Sequence, residues 1–480
     1  MKRGFLWLGG ASVIARVIDA VSVLVVMWFT SREQLGVATL AWSVSVFLEA
    51  TNGLGIGTAI LQARDVTDAR LASAFWYTMG AATLVVALVA GASPWLAQWF
   101  DAPALAPMIA VSSLKLWFVS LALIPLTLLN RATDFARIAA VQTGATLGSA
   151  VLTCVLVMLG HGAWGIVIGH TSSGLITAVL ANAARFYVPR GRFALDQSRD
   201  DIRFGLSVTG SSLLYHFYRN ADYYLIGRFL GVGAVGVYRV AYDLAMTPIA
   251  ALLGVVGRSA LPVYARISDR RHELREAFVW TLKSLGILLA PVTALLWYLA
   301  EDILRLIDHG RWLEALPMLR WLLVAAVLRC LAQLIPQLFH AVRRPTLALY
   351  DSLLMTGLVL AVLGSSIAIW GPQHGAITAA WGWGIVYPIE LVVLLWTARS
   401  IVDLRVGALL VAFVHPLLAL LAIACVQSIL PSIDDSRDSA IGSLLFKAAV
   451  ILAVFGIYVT FVMRVSLRRD VFGRSGEPHV

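Results

Sequence analysis

The chain has 480 residues, of which 60% are hydrophobic and only 13% charged, and a formal net charge of +10. That balance excludes an ordinary soluble domain, and the positive charge is explained by topology rather than by nucleic acid. The three cysteines, Cys154, Cys330 and Cys425, are scattered through apolar segments and make neither a disulfide framework nor a metal site.

Apolar runs long enough to cross a bilayer as helices recur from end to end. They cover 5–29, 36–62, 71–92, 107–129, 138–159, 163–184, 204–227, 233–262, 277–300, 313–340, 347–370, 375–397, 406–430 and 441–463, fourteen in all. None alternates as a barrel strand would, and backbone groups in lipid need partners inside their own segment. The expected fold class is therefore an all-α polytopic membrane protein. The opening Met1-Lys2-Arg3 imitates a signal peptide, but Arg16 and Asp19 interrupt the apolar stretch, which reads as an uncleaved first helix.

With the N-terminus inside, the even-numbered loops and both tails hold 23 of the 37 Lys and Arg, including Arg64, Arg131, Arg185, Arg270, Arg343 and Arg468. This bias places both termini in the cytoplasm. All loops are short. There is no phosphate-binding glycine loop, no His-Glu-x-x-His and no Gly-x-Ser-x-Gly, so neither an ATPase nor any other enzyme is expected.

The chain is written twice. Arg16 and Asp19 in the first span match Arg219 and Asp222 in the seventh. Leu35-Gly36-Val37 matches Val235-Gly236-Val237, Pro107-Met108 matches Pro317-Met318, and Ile124-Pro125 matches Ile335-Pro336. His161-Gly162-Ala163 recurs as His374-Gly375-Ala376, marking equivalent outer turns. The expected organisation is an N-terminal lobe of six helices over 1–185, a cytoplasmic linker over 186–202, and a parallel six-helix lobe over 203–400. Residues 401–480 add two further helices and a cytoplasmic tail.

Charged residues inside the spans carry the functional signal, since each costs about 2.5–3.5 kcal/mol at a helix centre. Arg16, Glu49 and Arg329 fall near the middle of their spans, with Arg219, Asp222, Arg239 and Asp243 between the middle and the outer surface. Helical spacing suggests the local pairs Arg16–Asp19, Arg219–Asp222 and Arg239–Asp243, and leaves Lys115 and Arg329 without an obvious partner. Asp351 and Glu390 lie toward the cytoplasmic ends and read as interfacial anchors. His170, His216 and His415 are intramembrane, and His216 alone sits in the polar stripe of the seventh span. A water-filled midplane with excess Arg suits an anion, because the guanidinium fork stays charged and pairs with phosphate. Arg16, Arg219, Arg239 and Arg329 are the candidate anion ligands. Asp19, Glu49, Asp222 and Asp243 are candidates for ion or proton coupling. Trp42, Tyr215, Tyr218 and Tyr242 flank the charged stripe and could stack on sugar rings. No catalytic residue, metal site or bound cofactor is expected.

Fourteen spans, a six-plus-six repeat and two added helices resemble the multidrug/oligosaccharidyl-lipid/polysaccharide exporter (MOP) superfamily. The segments Tyr218-Arg219-Asn220-Ala221-Asp222-Tyr223-Tyr224-Leu225-Ile226-Gly227-Arg228, Gly236-Val237-Tyr238-Arg239-Val240-Ala241-Tyr242 and Leu261-Pro262-Val263-Tyr264 resemble its polysaccharide-export branch, the Wzx-type flippases. The resemblance implies a V-shaped, MATE-like pair of lobes working by alternating access. It implies a bacterial inner-membrane flippase that carries undecaprenyl-diphosphate-linked oligosaccharide repeat units to the periplasmic leaflet. The route would be surface polysaccharide biosynthesis, as O-antigen, capsule or exopolysaccharide. An Na+ or H+ gradient would drive it, and a polysaccharide polymerase and chain-length regulator would be partners beside membrane lipid. An ion-coupled drug or metabolite antiporter of the same superfamily is the alternative. A membrane glycan polymerase or ligase fits less well, for want of a large periplasmic loop.

Overall fold

The computed structural model describes residues 15, 18–52, 56–62, 66–190, 195–342, 344–402, 421, 440–457 and 460. Among these the regular structure is helical throughout. In chain order the helices are α1 (Ile18–Phe29), α2 (Arg32–Glu49), α3 (Ile56–Gln62), α4 (Asp68–Trp99), α5 (Leu105–Arg131), α6 (Phe135–Leu156), α7 (Gly162–Ala184), α8 (Leu195–Leu230) and α9 (Val232–Arg266). They continue as α10 (Arg271–Leu306), α11 (Leu316–Ala332), α12 (Ile335–Ala341), α13 (Pro345–Leu358), α14 (Gly364–His374), α15 (Ile377–Val402) and α16 (Ala440–Ile457). Seven stretches of the described residues are long and apolar enough to cross a bilayer, among them Asp68–Trp99, Leu105–Arg131 and Arg271–Leu306. The protein is a multi-pass membrane protein. Arg16, the tail and, apart from residue 421, the expected thirteenth span over 406–430 lie outside the described residues.

Two compact units are present. The first comprises Met1–Val240 and Ser352–Gly382; the second comprises Ala241–Asp351 and Trp383–Val480. In the first, α5 is central and packs on α2, α4 and α7, while α6 packs on α7. α8 joins the same unit by packing on α2, α3, α4 and α14. Outward-facing Leu84, Leu88 and Trp95 on α4, and Leu147, Val151 and Val155 on α6, are exposed at helical spacing. Such stripes are the faces a bilayer would cover.

Helix starts follow their caps. Ser31 and Gln34 form a reciprocal box at the start of α2, with the Ser31 Oγ accepting from the Gln34 N–H at 3.2 Å and Gln34 Oε1 accepting from the Ser31 N–H at 3.1 Å. Thr67 caps α4 and Asp134 caps α6 more simply, each side chain accepting one backbone N–H, from Arg70 and Arg137. The repeated His-Gly-Ala turns also have a common backbone cause. Gly162 (φ 47°) and Gly375 (φ 66°) both take the positive dihedral that a side chain disfavours, and each ends a helical run where the chain reverses.

Two expected spans are interrupted. The continuous helix expected over 36–62 instead stops at Glu49. Thr51 turns its N–H and its hydroxyl onto the Leu48 carbonyl, tightening and ending the helix ahead of Asn52. α3 then resumes, held by packing of Ile56 and Ile60 on Leu71, Ala74 and Ile124. The span expected over 313–340 breaks between α11 and α12, where Pro336 takes one of the first positions of the new helix. A further difference is that α8 begins at Leu195, inside the stretch 186–202 assigned to the linker.

The repeated glycine motif makes a contact. A Cβ on Gly36 of α2 would collide with the carbonyl oxygen of Val232 on α9, and a Cβ on Gly236 would collide with the carbonyl oxygen of Arg32. The two helices therefore cross with backbone against backbone, each through its own copy of the motif.

In the second unit, α10 packs on α11 and α16. Ile451 of α16 is fully buried with Ala294 of α10, beside Leu295, Tyr298 and Val454. The Lys447 ammonium bonds Asp302 at 2.8 Å, pinning α16 in place. This is the fourteenth expected span, docked on α10.

Candidate functional site: a charged and aromatic cluster inside the bundle

The cluster in the first unit is assembled from five helices. α2 and α5 are zipped together by the Ser45 hydroxyl on the Ser112 carbonyl (3.0 Å) and the Ser112 hydroxyl on the Ala41 carbonyl (3.1 Å). Small residues let the two backbones approach, which brings the last turn of α2 beside the middle of α5. Lys115 of α5 then meets Glu49 of α2 at 3.0 Å, and His170 of α7 lies 3.5 Å from the same Glu49 oxygen. The Lys115 Nζ also stands 3.3 Å from His170 Nε2. Lys115 is therefore a partnered cation, against the expectation that it lacks one. His170, more than His216, is the histidine engaged with this charge group.

Two turns N-terminal to Glu49, Trp42 presents its ring to α9. The Arg239 guanidinium lies over it, 4.2 Å from the ring centroid, with Tyr223 of α8 5.8 Å away on another side. Trp42 meets both His170 and Tyr223 edge-on, at 6.2 and 6.4 Å. Stacking on Trp replaces part of the hydration that a guanidinium loses away from water.

Asp222 is fully buried and is held by neutral donors. Its Oδ2 accepts from the Tyr238 hydroxyl at 2.8 Å and its Oδ1 from the Tyr223 N–H at 2.9 Å. Arg219 donates to the Tyr215 hydroxyl at 2.6 Å, and Tyr215 meets Tyr218 and His216 edge-on. Asp19 is exposed on α1. The described members of this cluster include three cations, Lys115, Arg219 and Arg239, and two carboxylates, Glu49 and Asp222.

The second unit holds the remaining candidates. Arg329 is buried, and its Nη1 donates to the Tyr242 hydroxyl at 2.8 Å and approaches the Met246 sulfur at 3.7 Å. Tyr242 is thus a support for an arginine, as Tyr215 is in the first unit. Asp243 is half-buried beside it on α9. Glu390 departs from its expected role as an interfacial anchor: it is 4% exposed, in the middle of α15.

The Lys115–Glu49 pair yields a direct prediction. Removing one member of a largely buried pair strands the other charge. Lys115→Ala should lower stability by about 3 kcal/mol, the lower end of that range because Glu49 keeps 27% side-chain exposure. Lys115→Met with Glu49→Gln should recover most of the loss in thermal unfolding of the detergent-purified protein. A double variant no more stable than Lys115→Ala would show that the pair is not what holds α2 to α5 here.

Residues 25–317 match the family model described as "Polysaccharide biosynthesis protein". The chain is 24% identical over 391 residues to the lipopolysaccharide biosynthesis protein WzxC of Escherichia coli (strain K12), covering 81% of this chain and 79% of that protein. It is 24% identical over 453 residues to the succinoglycan biosynthesis transport protein ExoT of Rhizobium meliloti (strain 1021), covering 94% and 90%. Among solved structures it is similar to the lipid II flippase MurJ in an inward closed conformation, with a TM-score of 0.75 at 14% identity, over 96% of this chain and 100% of that one. At that identity the likeness shows the fold.

Proposed function

Since the chain belongs to the polysaccharide biosynthesis protein family, we propose that it is a flippase for lipid-linked oligosaccharides, not an enzyme. Its cargo is an undecaprenyl-diphosphate-linked oligosaccharide repeat unit, moved from the cytoplasmic to the periplasmic leaflet in making a surface polysaccharide. In this reading the protein sits in the bacterial inner membrane with both termini cytoplasmic. Fourteen spans form two parallel six-helix lobes, 1–185 and 203–400, with two added helices. Polymerase and chain-length regulator act on the delivered unit.

The observation that carries the reading is Arg239 seated on Trp42, in a cluster where cations outnumber carboxylates. A guanidinium seated on an aromatic face remains a charged N–H donor suited to oxygen ligands, and a diphosphate offers several. Arg219, supported by Tyr215, is a second ligand, and Arg16 a third by its repeat-related position. The aromatic residues Trp42, Tyr215 and Tyr218 act first as supports for these arginines, with sugar contact as a further use. No bond is made or broken. The gain from binding shifts the balance between inward- and outward-open arrangements, and an Na+ or H+ gradient completes the cycle.

The test is reconstitution. Proteoliposomes containing the purified protein should move a fluorescent undecaprenyl-diphosphate oligosaccharide across the bilayer in a saturable way, and should not move its dephosphorylated counterpart. Tight binding of organic cations with no binding of the diphosphate lipid would overturn the reading in favour of a drug or metabolite antiporter.

A further inference from the structure

The interruption of the second span lies deep in the first unit. Glu49, where α2 ends, meets Lys115 of α5 at 3.0 Å, and Asn52, in the turn beyond, meets Ser120 of the same helix at 3.2 Å. α5 runs from Leu105 to Arg131 and is one of the stretches long and apolar enough to cross a bilayer. At about 1.5 Å per residue, Lys115 and Ser120 lie roughly 15 and 22 Å along it, near its middle. The break therefore stands at mid-membrane. Backbone that leaves the helix at that depth is tolerated inside protein or against a water-filled cavity, and the broken helices of transporters carry their substrate sites there.

The side chains at the break are partly covered rather than sealed. Glu49 keeps 27% side-chain exposure, and Ala50, Thr51 and Asn52 are half-buried. A carboxylate open to lipid at this depth is untenable, so the face opens on water. Lys115 and His170 both address Glu49 Oε1, at 3.0 and 3.5 Å, and Oε2 takes part in neither contact. The Ser120 hydroxyl, on a residue only 1% exposed, reaches Asn52 Oδ1 and the Leu116 carbonyl. It steadies the carboxamide and leaves the two amide hydrogens outside that contact. A carboxylate acceptor and an amide donor thus stand three residues apart at the break.

Charge separates this patch from the arginines near it. Lys115 and Glu49 cancel, whereas Arg239 on Trp42 and Arg219 on Tyr215 present positive charge. A neutral patch of donors and acceptors does not attract phosphate. It suits hydroxyl groups, which donate and accept at once. Trp42 and Glu49 are seven residues apart on α2, about 10 Å along one face. A diphosphate on Arg239 therefore brings the sugars attached to it within reach of the break.

We propose that Glu49 and Asn52 form a sugar-recognition subsite for the hydroxyl groups of the lipid-linked oligosaccharide, with Lys115 and Ser120 as the residues that position them. Glu49 Oε2 accepts from one hydroxyl, and the Asn52 amide donates to another. A site built on hydroxyl partners rejects a cargo that lacks them, because its own polar groups are then left unpaired. The subsite rests on the flippase reading and deepens it: the arginines hold the diphosphate, and the break reads the sugar beyond it.

The experiment compares two probes on the full-length protein purified in detergent. One is the undecaprenyl-diphosphate oligosaccharide extracted from cells lacking this protein; the other is bare undecaprenyl diphosphate. The wild type should bind the glycosylated probe more tightly. Asn52→Ala should weaken that probe about 2- to 10-fold, as expected for one neutral hydrogen bond, and leave the bare lipid unchanged. Lys115→Met with Glu49→Gln, which removes the charge pair without stranding either member, should weaken it about 10-fold or more, again with the bare lipid unchanged. Arg239→Ala should weaken both probes alike. Equal affinity of the wild type for the two probes overturns the subsite, as does an undiminished sugar preference in either variant. A loss of equal size on both probes overturns it too, since that marks a structural role. If Asn52→Ala does not fold, Ser120→Ala, which removes only a hydroxyl, takes its place. A wild type that binds neither probe overturns the flippase reading itself, a result distinct from a wild type that binds both without preference.

Discussion

Arg239→Ala is expected to end glycan export while leaving a folded protein in the membrane. The side chain supplies charge-assisted hydrogen bonds, each contributing about 1.5–3 kcal/mol, so its loss should weaken binding of a diphosphate-linked lipid by roughly 10- to 100-fold. Arg239→Lys keeps the charge but loses both the planar fork and the stacking on Trp42, and should recover only part of the affinity. Trp42 reports on the same interaction from the other side. Trp42→Ala removes a contact of about 0.5–2 kcal/mol, whereas Trp42→Phe keeps an aromatic face and should lie close to wild type. Binding is read by displacement of a fluorescent diphosphate lipid, and export by surface glycan on cells. Wild-type affinity in Arg239→Ala would remove this arginine from the site.

The second large effect is expected at the crossing of α2 and α9. Gly36→Ala places a methyl group against the Val232 carbonyl, and Gly236→Ala places one against the Arg32 carbonyl. Both obstacles are backbone atoms, so the helices must move apart, at a cost of about 1–3 kcal/mol or more for overpacking. Either alanine should lower the melting temperature of the purified protein by several degrees. The double variant should lose less than the sum, because the separation forced by the first methyl makes room for the second. Gly80→Ala, which meets nothing within 4 Å, should be neutral or slightly stabilising, as alanine is in a helix interior. Strict additivity of the two alanines would mean that the contacts are independent of each other.

Much of the fold was legible because its signals are local. Apolar runs mark helices, the His-Gly-Ala turns mark ends, and Pro107, Pro317 and Pro336 lie near helix starts, whereas Pro125 sits inside the unbroken α5. The interruption after Glu49 was not legible, since 36–62 is apolar enough for one helix and the break depends on Thr51 folding back on Leu48. The site was legible in part for the same reason. Helical spacing relates residues three or four apart, so it suggested Arg239 with Asp243 and left Lys115 alone. The neighbours that define Arg239 and Lys115 are Trp42, Glu49 and His170, which come from other helices and distant parts of the chain. The available hint for His170 was its place in a polar run, His170-Thr171-Ser172-Ser173, within an otherwise apolar span. Glu390 was misread because depth along a span does not tell which way a side chain faces; the anchor reading needed an exposed carboxylate, and the residue is buried.

The glycine crossing has a symmetry that bears on how such a chain arose. Gly36 sits on the segment that contains Val232, and Gly236 sits on the segment that contains Arg32, so each copy of the motif is both knob and socket for the other. That is the defining property of an isologous interface, here folded into a single polypeptide. A protein of one repeat bearing this motif would have carried a surface complementary to itself. Fusion of two such genes would have kept the contact without requiring a new one. The two halves, produced as separate chains split in the 186–202 stretch, therefore retain at this crossing the complementarity needed to find each other again.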